Sequence, residues 1–303
     1  MTNRQKSRRD FLLTCVATTG AIMTCSLPTL ALEADSAEFK GTAVFRQLLK
    51  SAIAENWSAL PMGELIGKIA RKLEGTKYVA STLEIYPDRE ICSVNLDSLD
   101  CVTFVETTLA FARMLKKGGR KPEDLLAEVA LIRYRGGTAG DYSSRLHYMS
   151  DWLADNSNKH IVKLLGDLPG SKPFTQKVGF MSTHPASYQR LINQPEQVEK
   201  IKNYEAEINS RTLTYVPMAK IAAVEALLKT GDIVAVCTKQ AGLDVVHTGF
   251  VYRTPNGTAH FIDASSTKGK MKVTLEAGAI STSLHWSQNL IGAMFARPLE
   301  VKP

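Results

Sequence analysis

The spacing of apolar residues changes near residue 210, and this change constrains the fold more than any other feature of the chain. Before it, apolar residues recur at helical spacing, as at Val102, Val105 and Leu109 in the segment 100–117. After it, short apolar runs bounded by turn residues predict strands at 232–238, 245–252, 259–263 and 291–297. Helices followed by sequential strands predict an α+β protein with an antiparallel sheet.

Residues 1–31 are typical of an export signal. A basic segment containing Arg8 and Arg9 precedes an apolar stretch from 11 to 30, and Thr29-Leu30-Ala31 offers small residues for cleavage. Paired arginines before Phe-Leu predict a twin-arginine signal, the kind that exports folded protein. An ordinary secretory signal with a chance arginine pair is the alternative. We therefore expect residues 32–303 to form a single periplasmic domain, without stable membrane insertion after cleavage.

The charge of the chain is concentrated at its start. The net charge is +7, and residues 1–31 supply +3 of it. The remaining +4 is spread over the rest of the 303 residues, too thinly for a nucleic-acid partner. With 44% hydrophobic residues, the chain has enough apolar material for a large core.

The number of cysteines indicates a free thiol. Removal of the signal leaves Cys92, Cys101 and Cys237, an odd number in a compartment that oxidises thiols. At least one of them is therefore unpaired, and it is either buried and inert or kept for chemistry. The chain has no HExxH or CxxC spacing, so we expect neither a metal nor a cofactor.

Cys101 stands at a position that favours the nucleophilic thiolate. It follows Asp100, the predicted N-cap of the helix in 100–117. The N–H groups and the positive end of a helix stabilise a thiolate there. A cysteine that faces the core is the alternative interpretation of the same position.

Two strand residues complete a candidate catalytic triad with Cys101. His247 shares a strand face with Gly249, and its side chain is expected to point out of the sheet; a structural histidine is the alternative. Asp263 ends the next strand, where its carboxylate is expected to hold the imidazole. Should Asp263 not do so, Asp244 is the next candidate.

The strings around these residues resemble the NlpC/P60 cysteine-peptidase superfamily, and the longer ones resemble its DUF1460 branch of N-acetylmuramoyl-L-alanine amidase-like proteins. The resemblance runs from about Phe45 to Pro298, and its principal strings are 99–106, 144–148, 180–185, 242–247 and 262–265. Asp263 departs from the pattern, since the superfamily often has His there. The resemblance implies a papain-like core, in which a Cys-bearing helix packs on an antiparallel sheet, with added helical segments. It also implies that Cys101 attacks an amide of peptidoglycan while His247 takes and returns the proton.

Substrate-binding residues are expected after a Gly-rich loop, at Tyr142, Ser143, Arg145 and His147. The guanidinium of Arg145 is suited to bidentate capture of a carboxylate, and muropeptides carry carboxylates on D-Glu and diaminopimelate. The alternative for Arg145 is an ion pair within the protein.

The sequence therefore predicts an exported, monomeric cysteine hydrolase of muropeptides that cleaves the N-acetylmuramoyl–L-alanine bond, with anhydromuropeptides from wall turnover as candidate substrates. The same triad can hydrolyse any of these amide bonds. An endopeptidase that cuts L-Ala–γ-D-Glu or γ-D-Glu–diaminopimelate is therefore an alternative. A non-catalytic wall-binding module is another. Only the resemblance to the DUF1460 branch favours the amidase.

Overall fold

The computed structural model describes residues 37–301, so the predicted export signal lies outside the described residues. The helices of the described part are α1 (Thr42–Ala54), α2 (Met62–Lys72), α3 (Cys101–Lys116), α4 (Pro122–Arg133), α5 (Met149–Asn158), α6 (Phe180–Thr183), α7 (Pro195–Ser210), α8 (Ile221–Val224) and α9 (Ile280–Ser283). Its strands are β1 (Ala37–Lys40), β2 (Lys77–Tyr78), β3 (Cys92–Asn95), β4 (Ser98–Leu99), β5 (Val162–Leu164), β6 (Lys172–Pro173), β7 (Thr214–Pro217), β8 (Ile233–Thr238), β9 (Val245–Arg253), β10 (Ala259–Ser265), β11 (Lys272–Ala279) and β12 (Leu290–Pro298). None of these helices combines the length and the apolar character needed to cross a membrane.

Helix α3 begins where the sequence predicts. The N–H of Thr103 donates to Oδ1 of Asp100 at 2.7 Å, and the N–H of Asp100 donates to Oγ1 of Thr103 at 2.8 Å. This reciprocal capping box satisfies donors that the first turn of a helix otherwise leaves unpaired. Every residue from 103 to 115 is buried, so α3 is a central helix of the core. Its first turn, which carries Cys101, is thereby held in place.

The sheet is built around antiparallel neighbours. Its strand order is β4-β2-β11-β10-β9-β8-β12-β7-β6, and β5 also pairs with β12. The α+β prediction is confirmed, and the four predicted strands are β8, β9, β10 and β12, with ends within two residues of those expected. One edge differs from the prediction: β2 and β4 are parallel, which makes the sheet mixed.

The two faces of the sheet are both covered. On one face α3 packs against β9, with the rings of Phe104 and Phe250 edge to face at 5.7 Å. On the other face Val234, Phe261 and Phe295 belong to a second buried cluster. Burial of each such side chain contributes about 1.5–3 kcal/mol. The packing on both faces fixes β9 and β10, which carry His247 and Asp263.

The structure contains several elements that the sequence did not predict. Strand β11 was not predicted, because it mixes Gly and Ala with partly exposed positions and lacks a clear alternation. Strands β2 and β3 lie in residues 77–98, a segment with no clear periodicity, and were not predicted either. Helix α5 begins at Met149, after the segment that contains Tyr142, Arg145 and His147, and ends at Asn158. Strands of two to four residues carry almost no periodic signal and form through their partners.

Candidate active site

Cys101 is the accessible thiol of the described residues. It is partly exposed, whereas Cys92 and Cys237 are each 0% exposed, and all three are free. Burial raises the pKa of Cys92 to about 11, and it raises the pKa of Cys237 as well. Both buried cysteines are therefore neutral thiols at ordinary pH, and Cys101 is the one placed to react with a solute.

His247 and Asp263 form a hydrogen-bonded pair across β9 and β10. The Nε2 of His247 lies 2.7 Å from Oδ2 of Asp263, and Asp263 is 2% exposed. The pairing of β8 with β9 shifts beside His247: Val236 pairs with His247 and Cys237 pairs with Val245, which leaves Val246 as the extra residue of a bulge. A bulge increases the local twist and redirects side chains, which explains how His247 leaves the sheet toward Cys101.

The electrostatics of this pair favour the imidazolium. Burial lowers the pKa of His247, but hydrogen bonds with Asp263 and Cys101 and their negative charges outweigh it and raise the pKa to about 10. Because Nε2 is hydrogen-bonded to Asp263, Nδ1 is the ring nitrogen that is left to exchange a proton with Cys101. Burial raises the pKa of Asp263, and the hydrogen bond to His247 opposes that shift. The arrangement matches a nucleophile, a base and a residue that orients the base.

Aromatic rings enclose the imidazole. The rings of Phe261 and Trp286 stand edge to face with His247, at centroid distances of 5.9 and 5.6 Å. Gly249 makes room for this packing, because a Cβ there would lie 2.5 Å from the carbonyl oxygen of Ile262 and 2.7 Å from the ring of Phe261. The rings limit the rotation of His247 and reduce the access of water to it.

Two cavities are lined by residues of the candidate triad or by the chain neighbours of Cys101. The first, here called the α3 cavity, has a volume of 520 Å³, and its lining includes Glu84, Asp100, Val102, Tyr142, Arg145 and Tyr188. The second, here called the His247 cavity, has a volume of 260 Å³, and its lining includes His247, Asp263, Ser265, Thr267, Lys270 and Trp286. The first cavity is thus lined by the chain neighbours of Cys101, and the second by the other two residues of the candidate triad.

Three of the four residues predicted to bind substrate line the α3 cavity: Tyr142, Arg145 and His147. The fourth, Ser143, does not line it. The hydroxyl of Ser143 donates to Oδ1 of Asp141 at 2.6 Å, and its N–H is capped by the same carboxylate. The side chain of Ser143 is thus committed to the local turn.

Arg145 has its charge paired within the protein. It is 6% exposed, donates to Glu84, and lies 3.7 Å from Oε1 of Glu90. Its guanidinium also lies over the ring of Tyr142, at 4.9 Å from the centroid. The ion-pair alternative is therefore the geometry observed for Arg145, and a substrate carboxylate has to compete with Glu84 for it.

His147 is a neutral, hydrogen-bonded residue. Burial, followed by the positive charge of Arg145, lowers its pKa to about 3. Its Nε2 lies 2.7 Å from the carbonyl oxygen of Tyr142, and a carbonyl only accepts, so the proton is on Nε2. His147 therefore supports the wall of the cavity and has no charge to offer a substrate.

Sequence reasoning did not identify two residues near the site. Tyr78 lies close to Cys101: burial, followed by the negative charges of Cys101 and Asp100, raises the pKa of its phenol. Trp286 lies in the segment between α9 and β12. Neither stands in a recognisable motif, so only their spatial neighbours reveal them. Asp244, the alternative orienting residue, instead accepts from the N–H of Ser150 in α5 at 2.7 Å.

The described residues contain no group of three or more His, Cys, Asp or Glu side chains placed to hold a metal ion. The side chains brought together at this site are the thiol of Cys101, the imidazole of His247 and the carboxylate of Asp263.

Comparison with known proteins identifies the family. The family model described as N-acetylmuramoyl-L-alanine amidase-like (AmiA-like) matches residues 68–277, a segment that includes Cys101, His247 and Asp263. No curated protein sequence matches with significance.

Solved structures agree with this match. An N-acetylmuramoyl-L-alanine amidase from Bacteroides uniformis is similar at 30% identity and a TM-score of 0.71, over 78% of this chain and 98% of that one. A Bacteroides fragilis protein is similar at 32% identity and a TM-score of 0.68, over 76% and 99%. A Legionella pneumophila DUF1460 protein, at 21% identity and a TM-score of 0.64 over 86% and 98%, shares the fold. The chain therefore belongs to the N-acetylmuramoyl-L-alanine amidase-like family.

Proposed function

We propose that this protein is an exported cysteine hydrolase that cleaves the amide between N-acetylmuramic acid and L-alanine in soluble peptidoglycan fragments, anhydromuropeptides among them. The observation that carries the proposal is the arrangement of a partly exposed Cys101 at a helix start with His247, whose other nitrogen is bonded to Asp263 at 2.7 Å. The family supports the substrate class. A cysteine-bearing helix packed on a sheet that supplies His and Asp is also the arrangement expected of a papain-like NlpC/P60 core.

Each group has a defined part in the proposed reaction. The thiolate of Cys101 attacks the carbonyl carbon, and the resulting oxyanion is stabilised by the N–H groups of the first turn of α3. The imidazolium of His247 gives its proton to the leaving amine as the C–N bond breaks, which leaves a thioester on Cys101. Neutral His247 then takes a proton from water, and the hydroxide adds to the thioester. The carboxylic acid product leaves, and Cys101 is regenerated.

Asp263 orients the imidazole of His247 and stabilises its protonated form. Its hydrogen bond fixes His247 with Nδ1 toward Cys101, and its negative charge stabilises the imidazolium. Because Asp263 is almost fully buried, water screens this charge weakly.

The products formed from defined muropeptides test the proposal. The purified protein is incubated with N-acetylmuramoyl-L-Ala-γ-D-Glu-diaminopimelate and with its 1,6-anhydro form, and the products are identified by mass spectrometry. We expect the intact sugar together with the free tripeptide L-Ala-γ-D-Glu-diaminopimelate. The Cys101→Ala variant is the control for a contaminating hydrolase.

Other products would select an alternative. Cleavage within the stem peptide would make the protein an endopeptidase of the same fold. Unchanged substrate together with tight binding would make it a wall-binding module. Intact sacculi, tested in parallel, separate an enzyme of soluble fragments from one that acts on the polymer.

Export is part of the proposal because peptidoglycan lies outside the cytoplasm. The support is the sequence of residues 1–31, with Arg8 and Arg9 ahead of the apolar stretch. A twin-arginine route would deliver the folded protein to the periplasm with the thiol of Cys101 still reduced.

A further inference from the structure

The two cavities beside Cys101 differ in the groups that adjoin them. Asp100 and Val102, the neighbours of the nucleophile on the chain, line the α3 cavity. His247 and Asp263, the base and its partner, line the other. The His247 cavity is therefore next to the residue that transfers the proton. The α3 cavity is next to the start of α3.

The chemistry of amide cleavage decides which half of the substrate goes to which cavity. The nitrogen of the leaving amine has to approach His247, because that ring gives it a proton. The carbonyl oxygen has to face the N–H groups at the start of α3. With both constraints met, the chain attached to the leaving nitrogen continues past His247, and the acyl group extends into the α3 cavity.

The walls of the His247 cavity suit a short peptide. Trp286 is 49% exposed and offers an apolar surface at the cavity while its ring contacts His247. Lys270 and Glu276 both line this cavity and are paired at 2.5 Å, so their charges balance on its wall.

The volumes agree with this orientation. The α3 cavity, at 520 Å³, falls within the range of about 300–1,000 Å³ that holds a drug-sized ligand, which is the size of an N-acetylated sugar acid. The His247 cavity, at 260 Å³, falls below that range and suits one or two amino-acid residues.

We propose that the His247 cavity binds the peptide released by cleavage, a short chain that begins with a small residue, and that Trp286 is the residue that recognises it. This inference rests on the proposed amidase function and adds to it the direction of the substrate across Cys101. Trp286 contacts the leaving peptide, while the sugar lies in the α3 cavity.

The tryptophans of the chain provide a direct test. The sequence has three, and Trp57 and Trp152 are 0% and 1% exposed, so Trp286 accounts for the emission that a dissolved quencher reaches. In the Cys101→Ala protein, acrylamide quenching is measured with L-Ala-γ-D-Glu or with N-acetylmuramic acid at up to about 20 mM, which detects binding as weak as about 2–3 kcal/mol. We expect the dipeptide to protect the exposed tryptophan and the sugar acid to leave its quenching unchanged.

Two variants complete the experiment. Trp286→Phe, in the Cys101→Ala background, should remove the quenchable emission and with it the effect of the dipeptide. In the active enzyme, Trp286→Ala should raise the inhibition constant for the dipeptide product about tenfold, a loss of about 1.4 kcal/mol. The same variant should leave inhibition by N-acetylmuramic acid within about twofold. Tyr188→Ala, in the α3 cavity, should show the opposite pattern, since it removes a ring from the proposed sugar side.

Protection of Trp286 by the sugar acid, or by neither product, would overturn the inference. Hydrolysis of N-acetylmuramoyl-L-Ala substrates by the wild-type protein is measured separately. If hydrolysis occurs and the sugar acid protects Trp286, the orientation is wrong and the amidase function stands. If no hydrolysis occurs, the proposed function itself fails.

Discussion

The imidazole of His247 is joined to the carboxylate of Asp263 by a hydrogen bond of 2.7 Å that crosses from β9 to β10. The bond uses Nε2 and therefore turns Nδ1 toward Cys101. Other residues pack against both faces of these two strands. The hydrogen bond between His247 and Asp263 is therefore already formed before substrate binds. Preorganisation of this kind avoids the cost of ordering the groups during the reaction.

Cys101 should react with alkylating agents much faster than the other described thiols. It is partly exposed at a helix start, whereas Cys92 and Cys237 are buried and their thiol pKa values are raised. Iodoacetamide labelling followed by peptide mass spectrometry measures the three rates. Cys101→Ala should abolish turnover with an unchanged circular dichroism spectrum, and Cys92→Ala should remain active. A Cys101→Ala protein with near wild-type activity would exclude the cysteine mechanism.

Loss of the Asp263 carboxylate should reduce kcat more than it changes KM. Asp263→Ala removes the group that orients His247 and stabilises its imidazolium, so kcat should fall by about 10²–10⁴-fold. Asp263→Asn keeps a hydrogen-bonding side chain and should retain more activity than Asp263→Ala. Steady-state kinetics on a muropeptide measure both. A kinetically silent Asp263→Ala would mean that the histidine is held by another group.

The activity should persist to high pH. The pKa of His247 is raised to about 10, above the ordinary 6.5, so the imidazolium that protonates the leaving amine is kept at neutral pH and is lost as the pH rises through about 10. The alkaline limb of kcat/KM should therefore lie near pH 10. In Asp263→Asn the limb should move to lower pH, because the negative charge that stabilises the imidazolium is gone. A wild-type limb near pH 6.5 would contradict the assignment.

The ion pair of Glu106 and Arg133 should be important for stability. The Nε of Arg133 donates to Oε2 of Glu106 at 2.7 Å, and both side chains are 2% exposed. Glu106→Gln leaves the guanidinium buried without its counter-charge and should lower the free energy of unfolding by about 3–5 kcal/mol. Urea denaturation followed by circular dichroism measures the change.

A surface pair is the matched control for that measurement. Glu199 and Lys202 are more than half exposed, and Glu199→Gln should change the free energy of unfolding by less than about 1 kcal/mol. Equal effects of Glu106→Gln and Glu199→Gln would show that the buried charge is screened by water and carries no special cost.

Replacement of the arginine pair should block export. We propose that Arg8 and Arg9 are read by the twin-arginine receptor, which tolerates a double lysine replacement poorly. In the Arg8→Lys, Arg9→Lys protein the precursor should accumulate in the cytoplasm, and periplasmic enzyme should be lost on fractionation. Normal arrival of the mature form would instead indicate an ordinary secretory signal.

Local features of the chain were predictable from the sequence because they depend on residues close together. The Asp100 cap and the start of α3 at Cys101 follow from contacts within three residues. The strands that carry His247 and Asp263 follow from alternation over five to nine residues, and the turn between them keeps them adjacent. The order of the candidate triad along the chain was therefore already determined.

Only the tertiary structure determined which residues line the site and which of its charged side chains are paired within the protein. Arg145 is paired with Glu84, 61 residues earlier in the chain, so its guanidinium is not the open carboxylate site that its type suggests. The bulge at Val246 arises from pairing with β8, and Trp286 meets His247 from a segment 39 residues later. Such contacts depend on how the helices and the sheet pack, and no short pattern encodes them. The sequence thus determined which residues are candidates for the chemistry, and packing determined their orientation and the space around them.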